Sequence, residues 1–543
     1  MNLFLRILQI FILLFAMTSC KKSKPEIPTP APVTKYAHTS GSLILDGNNE
    51  PLKLQGVAFG NFIWSDELPL THHSETDFQR LNDLNMNVVR FYLNYKTFEN
   101  DAAPYTYKQS GWDWIDTNVA WAKKHKVYLL LNMHAPQGGY QSQGKGDALW
   151  NDIENQNRLT ALWKAIADRY KNEPFVIGYG LVNEPVPVKS LAQWQLLSQR
   201  ITNSIREVDK NHIVFVEKPI WIKNVAVENA DYNFPPITDN NIVYEFHIYD
   251  PIQYTHQLFT WANMGEGGKY PDESIITVTG STWYTATFDN PKINAGTNNW
   301  KYFEGVKYVI NDSKIKVGYP ALVGRNVQGK VLFDDIVIKE FDTQGNFTGN
   351  IVSMNLNSMD GWYYWSENNS GMAGLSLQTG NTDGASIYIS GATGDCNVSN
   401  SNKLFIPKQG YAYQICGWMK GENVATDAAC MLRIDFSTTN DPIYTRNKLL
   451  MQAVMNKYIN WSKQKNVPVY MGEFGAGIHC FDNDKGGLQW VSDMIDICQN
   501  NNVYFTYHAY HEDSFGLYLG YTTLPNASNA NTPLINLFTE KLK

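Results

Sequence analysis

The sequence predicts an α/β fold, a (β/α)8 TIM barrel interrupted between its sixth strand and sixth helix by an all-β, jelly-roll-like sandwich. Three observations predict it. Apolar runs alternate with amphipathic helical stretches until about residue 250, which reads as a series of parallel βαβ units. The alternation then stops, and from about residue 268 to 441 the chain carries short β-rich runs, Gly and Asn turns and almost no helical period. After 441, helices resume and two more strands follow, completing eight. About 330 residues lie outside the insert and the leader, within the usual size of such a barrel.

Residues 1–20 read as an export signal. Asn2 to Arg6 carry one positive charge, and the apolar run Ile7 to Ala16 is too short to span a bilayer. The run ends Met17-Thr18-Ser19-Cys20, and small residues before a Cys resemble a bacterial lipobox. Cys20 is then the expected lipid attachment point, anchoring the protein at the outer membrane or cell surface. Residues 21–40 are rich in Pro and Lys and read as an extended tether.

The first part of the barrel is expected over 41–268. Ser42 to Asp46 and Pro51 to Phe59 read as short strands, and Phe78 to Leu84 as a helix with Ser74 as N-cap and Asp77 three residues on. Strands follow at Asn87 to Leu93, Val127 to Met133, from Val176, His212 to Glu217 and Ile242 to Phe246. The helices between them are Trp112 to His125, Gln156 to Tyr170 and Leu191 to Val208. The strands are near-continuous apolar runs, so both faces are buried. The second part, 441–543, holds a helix at Arg446 to Gln464 and a strand from Val467. A helix at Gly486 to Gln499, a strand at Val503 to His508 and a closing helix at Leu534 to Leu542 complete it.

A net charge of −7 and the lack of basic runs beyond Lys21 to Lys24 argue against a nucleic-acid partner. Aromatics make up 13% of the chain, enough either for large cores or for stacking on the apolar faces of sugars. Beyond Cys20, five cysteines remain with no CxxC pair, which excludes a zinc-ribbon pattern and leaves any disulfide unassigned.

In barrels of this kind the active site lies at the C-terminal ends of the strands. Those ends carry Arg90, His134, Asn183, Glu184, His247, Tyr249, Glu473 and His508. Two of the strands, VIGYGLVNEP and VPVYMGEFGA, each deliver one carboxylate at the tip. Two such carboxylates are what a retaining glycosidase needs, one to protonate the leaving oxygen and one to attack the anomeric carbon.

With these residues in hand, the barrel resembles glycoside hydrolase family five, the cellulase-like retaining glycosidases. The residues that carry the resemblance are Arg90 in VVRFY, His134 after LLLNM, Asn183-Glu184-Pro185, His247 and Tyr249 in EFHIYDP, and Glu473 in MGEFG. It implies that Glu184 is the acid/base and Glu473 the nucleophile, and that Asn183 holds the sugar 2-hydroxyl. Tyr249 would bond to Glu473, Arg90 would keep it charged, and His134 and His247 would border the sugar that is cleaved. The resemblance departs at strand eight, where His508 stands in place of a Trp. Tyr507 or Tyr510 could supply the missing aromatic face. Trp64, Trp150 and Trp221 fall in expected loops and are either sugar platforms or core.

Residues 269–440 are expected to form a β-sandwich. Lys330 to Glu340 and Gln409 to Gly421 resemble strands of carbohydrate-binding modules but occur in reversed order, which suggests a circular permutation. Trp362, Tyr363, Tyr364 and Trp365 are candidates to stack on glycan, whereas Trp283 is expected in the sandwich core. Asp334 or Asp335 is a candidate for a structural calcium site.

The expectation is therefore an exported, lipid-anchored retaining β-glycosidase, monomeric, with no metal or cofactor needed for catalysis. Its expected partner is a β-linked poly- or oligosaccharide, as in an endo-β-1,4-glucanase. A β-mannanase, an exo-β-1,3-glucanase, a transglycosylase and an inactive glycan-binding lipoprotein are the alternatives.

Overall fold

The computed structural model describes residues 35–63, 73–225, 230–262, 264–400, 402–521 and 523–543. The export signal, Cys20, most of the tether and Trp64 lie outside the described residues.

Eight parallel strands close into a barrel. They are β1 (Gln55–Phe59), β2 (Val88–Asn94), β3 (Tyr128–Ala135), β4 (Val176–Gly180), β5 (Ile213–Glu217), β6 (Ile242–Ile248), β7 (Val469–Phe474) and β8 (Tyr504–Tyr507). β8 pairs back onto β1 through Phe505 and Gln55. The main outer helices are Glu75–Asp83, Gln109–Lys124, Ile153–Tyr170, Leu191–Val208, Lys448–Lys465, Gly487–Asn500 and Thr532–Lys541. The first of these begins after Ser74, whose backbone N–H donates to Asp77 Oδ2 at 2.8 Å, satisfying one of the donors a helix start leaves open. A one-turn helix at Asp147–Asn151 was not anticipated.

Strand alternation sorts the side chains into two compartments. On β2, Val89, Phe91 and Leu93 point outward into the layer between strands and helices. Val88 belongs to a separate apolar cluster with Leu130, Ile177, Ile213, Phe215, Val243 and Tyr470, which fills the lower barrel. The two short strands His38–Ser40 and Leu43–Leu45 plug that end, with Ile44 in the cluster and its N–H donating to Tyr504 Oη at 2.7 Å. Above this apolar floor the same inward rows continue as Arg90 and Tyr92 on β2 and Glu245 and His247 on β6. The barrel is therefore greasy at its base and charged at its mouth.

The sandwich enters after β6 and leaves before helix Lys448–Lys465. Its root is a two-stranded ribbon, Asp272–Val278 against Ile443–Arg446, so its entry and exit lie side by side. A five-stranded sheet and a seven-stranded sheet enclose a core of their own. The strands Lys330–Phe341 and Ala412–Val424, which contain the two stretches singled out above, are direct neighbours in the larger sheet. The expectation for Trp283 is corrected: it is 51% exposed, because it sits on the edge strand Thr282–Ala286 of the smaller sheet and points outward. Trp362 is buried, while Tyr363 and Trp365, on the opposite face of the same strand, are exposed. All five cysteines among the described residues are buried and free.

Candidate active site

The charged mouth is built around Arg90, which is wholly buried. Its guanidinium donates to Glu473 Oε1 at 2.7 Å and to Asn183 Oδ1 at 2.7 Å, and its Nε lies 2.6 Å from Glu245 Oε1. Glu245 reaches it by lying across β7 at Gly472. A Cβ on Gly472 would stand 1.8 Å from Glu245 Oε1, so only glycine is compatible with this packing.

Glu473 is held from three further sides. Tyr92 Oη donates to Oε1 at 2.6 Å, Tyr249 Oη donates to Oε2 at 2.9 Å, and His247 Nδ1 lies 3.6 Å from Oε2. Burial alone would push this carboxyl up. The charges of His247, His508 and Arg90 outweigh it and hold Glu473 well below the usual carboxylate range. It is held as an anion at neutral pH and takes up a proton only on the acid side.

Glu184 follows β4 with a left-handed backbone, φ +44°. Such a conformation is strained for a side chain of this size and needs support from its surroundings. Its own N–H donates to Glu217 Oε2 at 2.8 Å, and its Oε1 bonds to His247 Nδ1 at 3.0 Å. Oxygens of Glu184 and Glu473 and a nitrogen of His247 all lie within 4.8 Å of one another.

His247 thus stands between four carboxylates, with Nε2 at 3.4 Å from Glu217 and 3.6 Å from Glu245. Burial works against its charge, but Glu217 and Glu473 raise its pKa well above the ordinary value. Burial and the neighbouring Glu245 push Glu217 up as well. Each of the two groups therefore titrates in the field of the other. Glu217, Glu245 and His247 also offer three converging ligand atoms, all within 4.8 Å of one another. The guanidinium of Arg90 lies beside Glu245 and is shared with Glu217 and Glu473.

The remaining expected residues line the rim. His134 is buried, stacked on Tyr92 with ring centroids 3.8 Å apart, and its burial lowers its pKa well below the usual value. Asn183 Nδ2 donates to Ser142 Oγ at 3.1 Å. His508 meets Tyr92 Oη through Nδ1 at 3.0 Å and Glu512 through Nε2 at 3.5 Å. Burial opposes its charge, yet Glu512 and Glu473 raise its pKa. Neither Tyr507 nor Tyr510 supplies the missing aromatic face. Tyr507 is turned into the outer core, its hydroxyl on Ala476 O, and Tyr510 is buried against Phe59 with its hydroxyl on Asp77. Trp150 is core, donating to Gln141 Oε1 at 2.8 Å, and Trp221 is half-buried beside Gly144. In the sandwich, Asp334 accepts from the backbone of Asp335 and Asn381 at 2.8 and 2.6 Å. Asp335 accepts from Asn381 Nδ2 at 3.3 Å and Thr382 Oγ1 at 2.9 Å, so both carboxylates face one polar loop.

Sequence reasoning passed over Tyr92, Glu217, Glu245 and Trp261. The first three had a visible signal: a polar or charged residue inside an otherwise apolar strand, two positions from a residue already singled out or at a strand tip. Trp261 had none. It is 61% exposed, stacks on Phe259, and its Nε1 donates to Ser514 of the loop after β8 at 3.2 Å. This places an open indole face on the rim.

The role of Tyr92 can be read from a pH profile. Replacing it by Phe keeps the ring and removes one short bond to the Glu473 anion. A bond to a charged group contributes about 1.5–3 kcal/mol, and one pKa unit is about 1.4 kcal/mol. The pKa of Glu473 then rises, and its ionised fraction at acid pH falls. The acid limb of kcat/KM in Tyr92→Phe is expected to move up by about one unit, with the plateau reduced less than tenfold. An unmoved acid limb would separate Tyr92 from Glu473.

The model for the cellulase family, glycosyl hydrolase family 5, matches residues 34–306. Endoglucanase C of Acetivibrio thermocellus is 31% identical over 197 residues, 35% of this chain and 54% of that protein. Cellodextrinase A of Ruminococcus flavefaciens is 26% identical over 202 residues, 36% of this chain and 58% of that one. The matched region thus spans little more than half the length of these curated relatives. Among solved structures, endoglucanase Cel5A of the hyperthermophilic Thermotoga maritima is 14% identical at a TM-score of 0.47, covering 89% of this chain and 96% of that chain.

Proposed function

Because the chain belongs to glycosyl hydrolase family 5, the cellulase family, we propose that it hydrolyses a β-glucan with retention of configuration, as an endo-acting β-1,4-glucanase. One observation carries this reading. Carboxylate oxygens of Glu184 and Glu473 lie within 4.8 Å of each other. Retaining glycosidases separate their carboxyls by about 5–5.5 Å, whereas inverting ones need about 6.5–9.5 Å to admit a water.

Glu473 is the nucleophile. Its oxygen attacks the anomeric carbon while Glu184 gives its proton to the departing glycosidic oxygen. Arg90, Tyr92 and Tyr249 keep Glu473 ionised and aimed, so little reorganisation is left for the moment of attack. Once the ester forms, the anion that shared His247 with Glu184 is gone. Glu184, now a carboxylate beside the His247 cation, takes a proton from water, and that water releases the sugar. Asn183, fixed between Arg90 and Ser142, presents its amide beside the acid/base, where a sugar 2-hydroxyl would lie. Trp261 offers a stacking face further along the rim.

Substrate choice is tested by product analysis on cello-oligosaccharides, mixed-linkage, β-1,3- and β-1,6-glucans and mannan. Cleavage of β-1,4-linked glucans to a ladder of intermediate lengths is the expected result. Release of single glucose units from β-1,3-glucan, or turnover of mannan alone, would replace the proposed specificity. Turnover of none of these would overturn the enzymatic reading.

A further inference from the structure

Where the barrel meets the sandwich there is a cavity of about 380 Å3. One wall is Asp250 to Gln253, the residues that directly follow Tyr249 on the way out of the active site. The other is the outer face of the five-stranded sheet. Strand pairing puts Tyr363 beside Ser399 and Val317 beside Ser437, with Tyr319 two residues along from Val317. All five of these side chains line the cavity. Trp283 pairs with Ser437 on the same sheet and stands half-exposed at its edge.

We propose that this cavity is a second glycan-binding site, which holds a neutral stretch of the same β-glucan chain that the barrel cuts. The inference rests on the glycosidase reading. Three features of the cavity carry it. Its volume is that of a small-molecule site, roughly 300–1,000 Å3. Its lining combines two tyrosine rings and several aliphatic side chains with hydroxyl and amide groups, its one charged residue is Asp250, and it includes no Lys, Arg or His. That chemistry suits a ligand with apolar ring faces and many hydroxyls, and it offers nothing to a phosphate or a carboxylate. Its barrel wall is continuous in sequence with Tyr249, whose hydroxyl touches Glu473. The loop that leaves the catalytic mouth after Tyr249 is thus the loop that walls the cavity, and on this proposal the sandwich takes up the polymer beyond the mouth.

The test uses the full chain and two variants of residues outside the catalytic mouth. Tyr363→Ala removes a side chain that is 48% exposed, so folding is not at stake. Ser399→Trp fills the cavity instead of emptying it. Turnover of an aryl β-cellobioside, too short to reach the sheet, is expected within twofold of wild type for both. Turnover of mixed-linkage glucan or hydroxyethyl cellulose is expected to fall about five- to tenfold, through KM. Retardation in gels containing those polymers, measured in a Glu473→Ala background, is expected to weaken by a similar factor. Unchanged polymer kinetics and retardation in both variants would overturn the proposal. So would an equal loss on the aryl cellobioside, since the effect would then lie in the catalytic mouth. If wild type cuts neither substrate, the glycosidase reading fails on its own, and retardation of wild type against the two variants still decides whether the cavity binds glycan.

Discussion

Replacing Glu473 by Ala is expected to lower kcat on an aryl β-cellobioside on the order of 10⁶-fold, about 8 kcal/mol of transition-state stabilisation. The size follows from what is lost. In the native site the nucleophile is already desolvated, ionised and held by Arg90, Tyr92 and Tyr249. No other carboxylate can take its place, because Glu245 is committed to Arg90 and Glu217 to the backbone of Glu184. The variant leaves a small space facing the anomeric carbon and lined by cationic and donor groups. Azide or formate can enter it and attack from the same side, so added azide should partly restore turnover and yield the α-glycosyl azide. Glu473→Gln, which keeps the volume and blocks that space, should be equally inactive and not rescued. Thermal unfolding of both variants separates loss of chemistry from loss of fold. Activity within tenfold of wild type in Glu473→Ala would remove Glu473 from the nucleophile role.

Replacing Glu184 by Ala is expected to split the two halves of the reaction. Proton transfer by a positioned group contributes about 10²–10⁴-fold, and the whole of it should be lost on a natural β-glucan, whose leaving oxygen is a poor one. A dinitrophenyl leaving group needs no proton. With such a substrate the first step should stay within about tenfold of wild type, while hydrolysis of the ester slows for want of a base. The glycosyl-enzyme then accumulates, visible as a burst and as intact protein carrying the added mass of the sugar. Azide should speed the second step and give a product of retained configuration, opposite to the outcome in Glu473→Ala. An equal loss on natural and dinitrophenyl substrates, with no burst, would sink the acid/base assignment. His247 and Glu217 act on this step through Glu184, one bonding its carboxyl and the other its backbone N–H.

The barrel was legible because its physics is local. A strand buried on both faces must read as an apolar run, and the helices between strands must show the helical period. Val176 to Gly180 and Leu191 to Val208 appear in the structure with the expected start points, and other elements shift by a few residues where caps and turns decide the end. The pair of strand-tip carboxylates was legible for the same reason, since Glu184 and Glu473 interrupt otherwise apolar segments. Their neighbours Glu217, Glu245 and Tyr92 obey the same rule. Tyr92 and Glu245 were missed because only one residue was taken from each inward row, Arg90 and His247, and Glu217 was passed over although it ends its strand.

Other features had no local signature. The fate of the aromatics depended on which face of a strand met the core: Trp362 is buried and Trp365 exposed although they lie three residues apart, and Trp283 turned outward on an edge strand. His508 is the residue that the sequence showed standing in place of an aromatic floor, but its clamp between Tyr92 and Glu512 joins strands two and eight. The cavity beside Asp250 exists only because a ribbon root folds the sandwich back onto the loop after β6. Patterns of burial along one segment are written in that segment. Contacts between residues far apart in the chain, such as Glu217 with His247, are decided only when packing brings the partners to within a few ångströms.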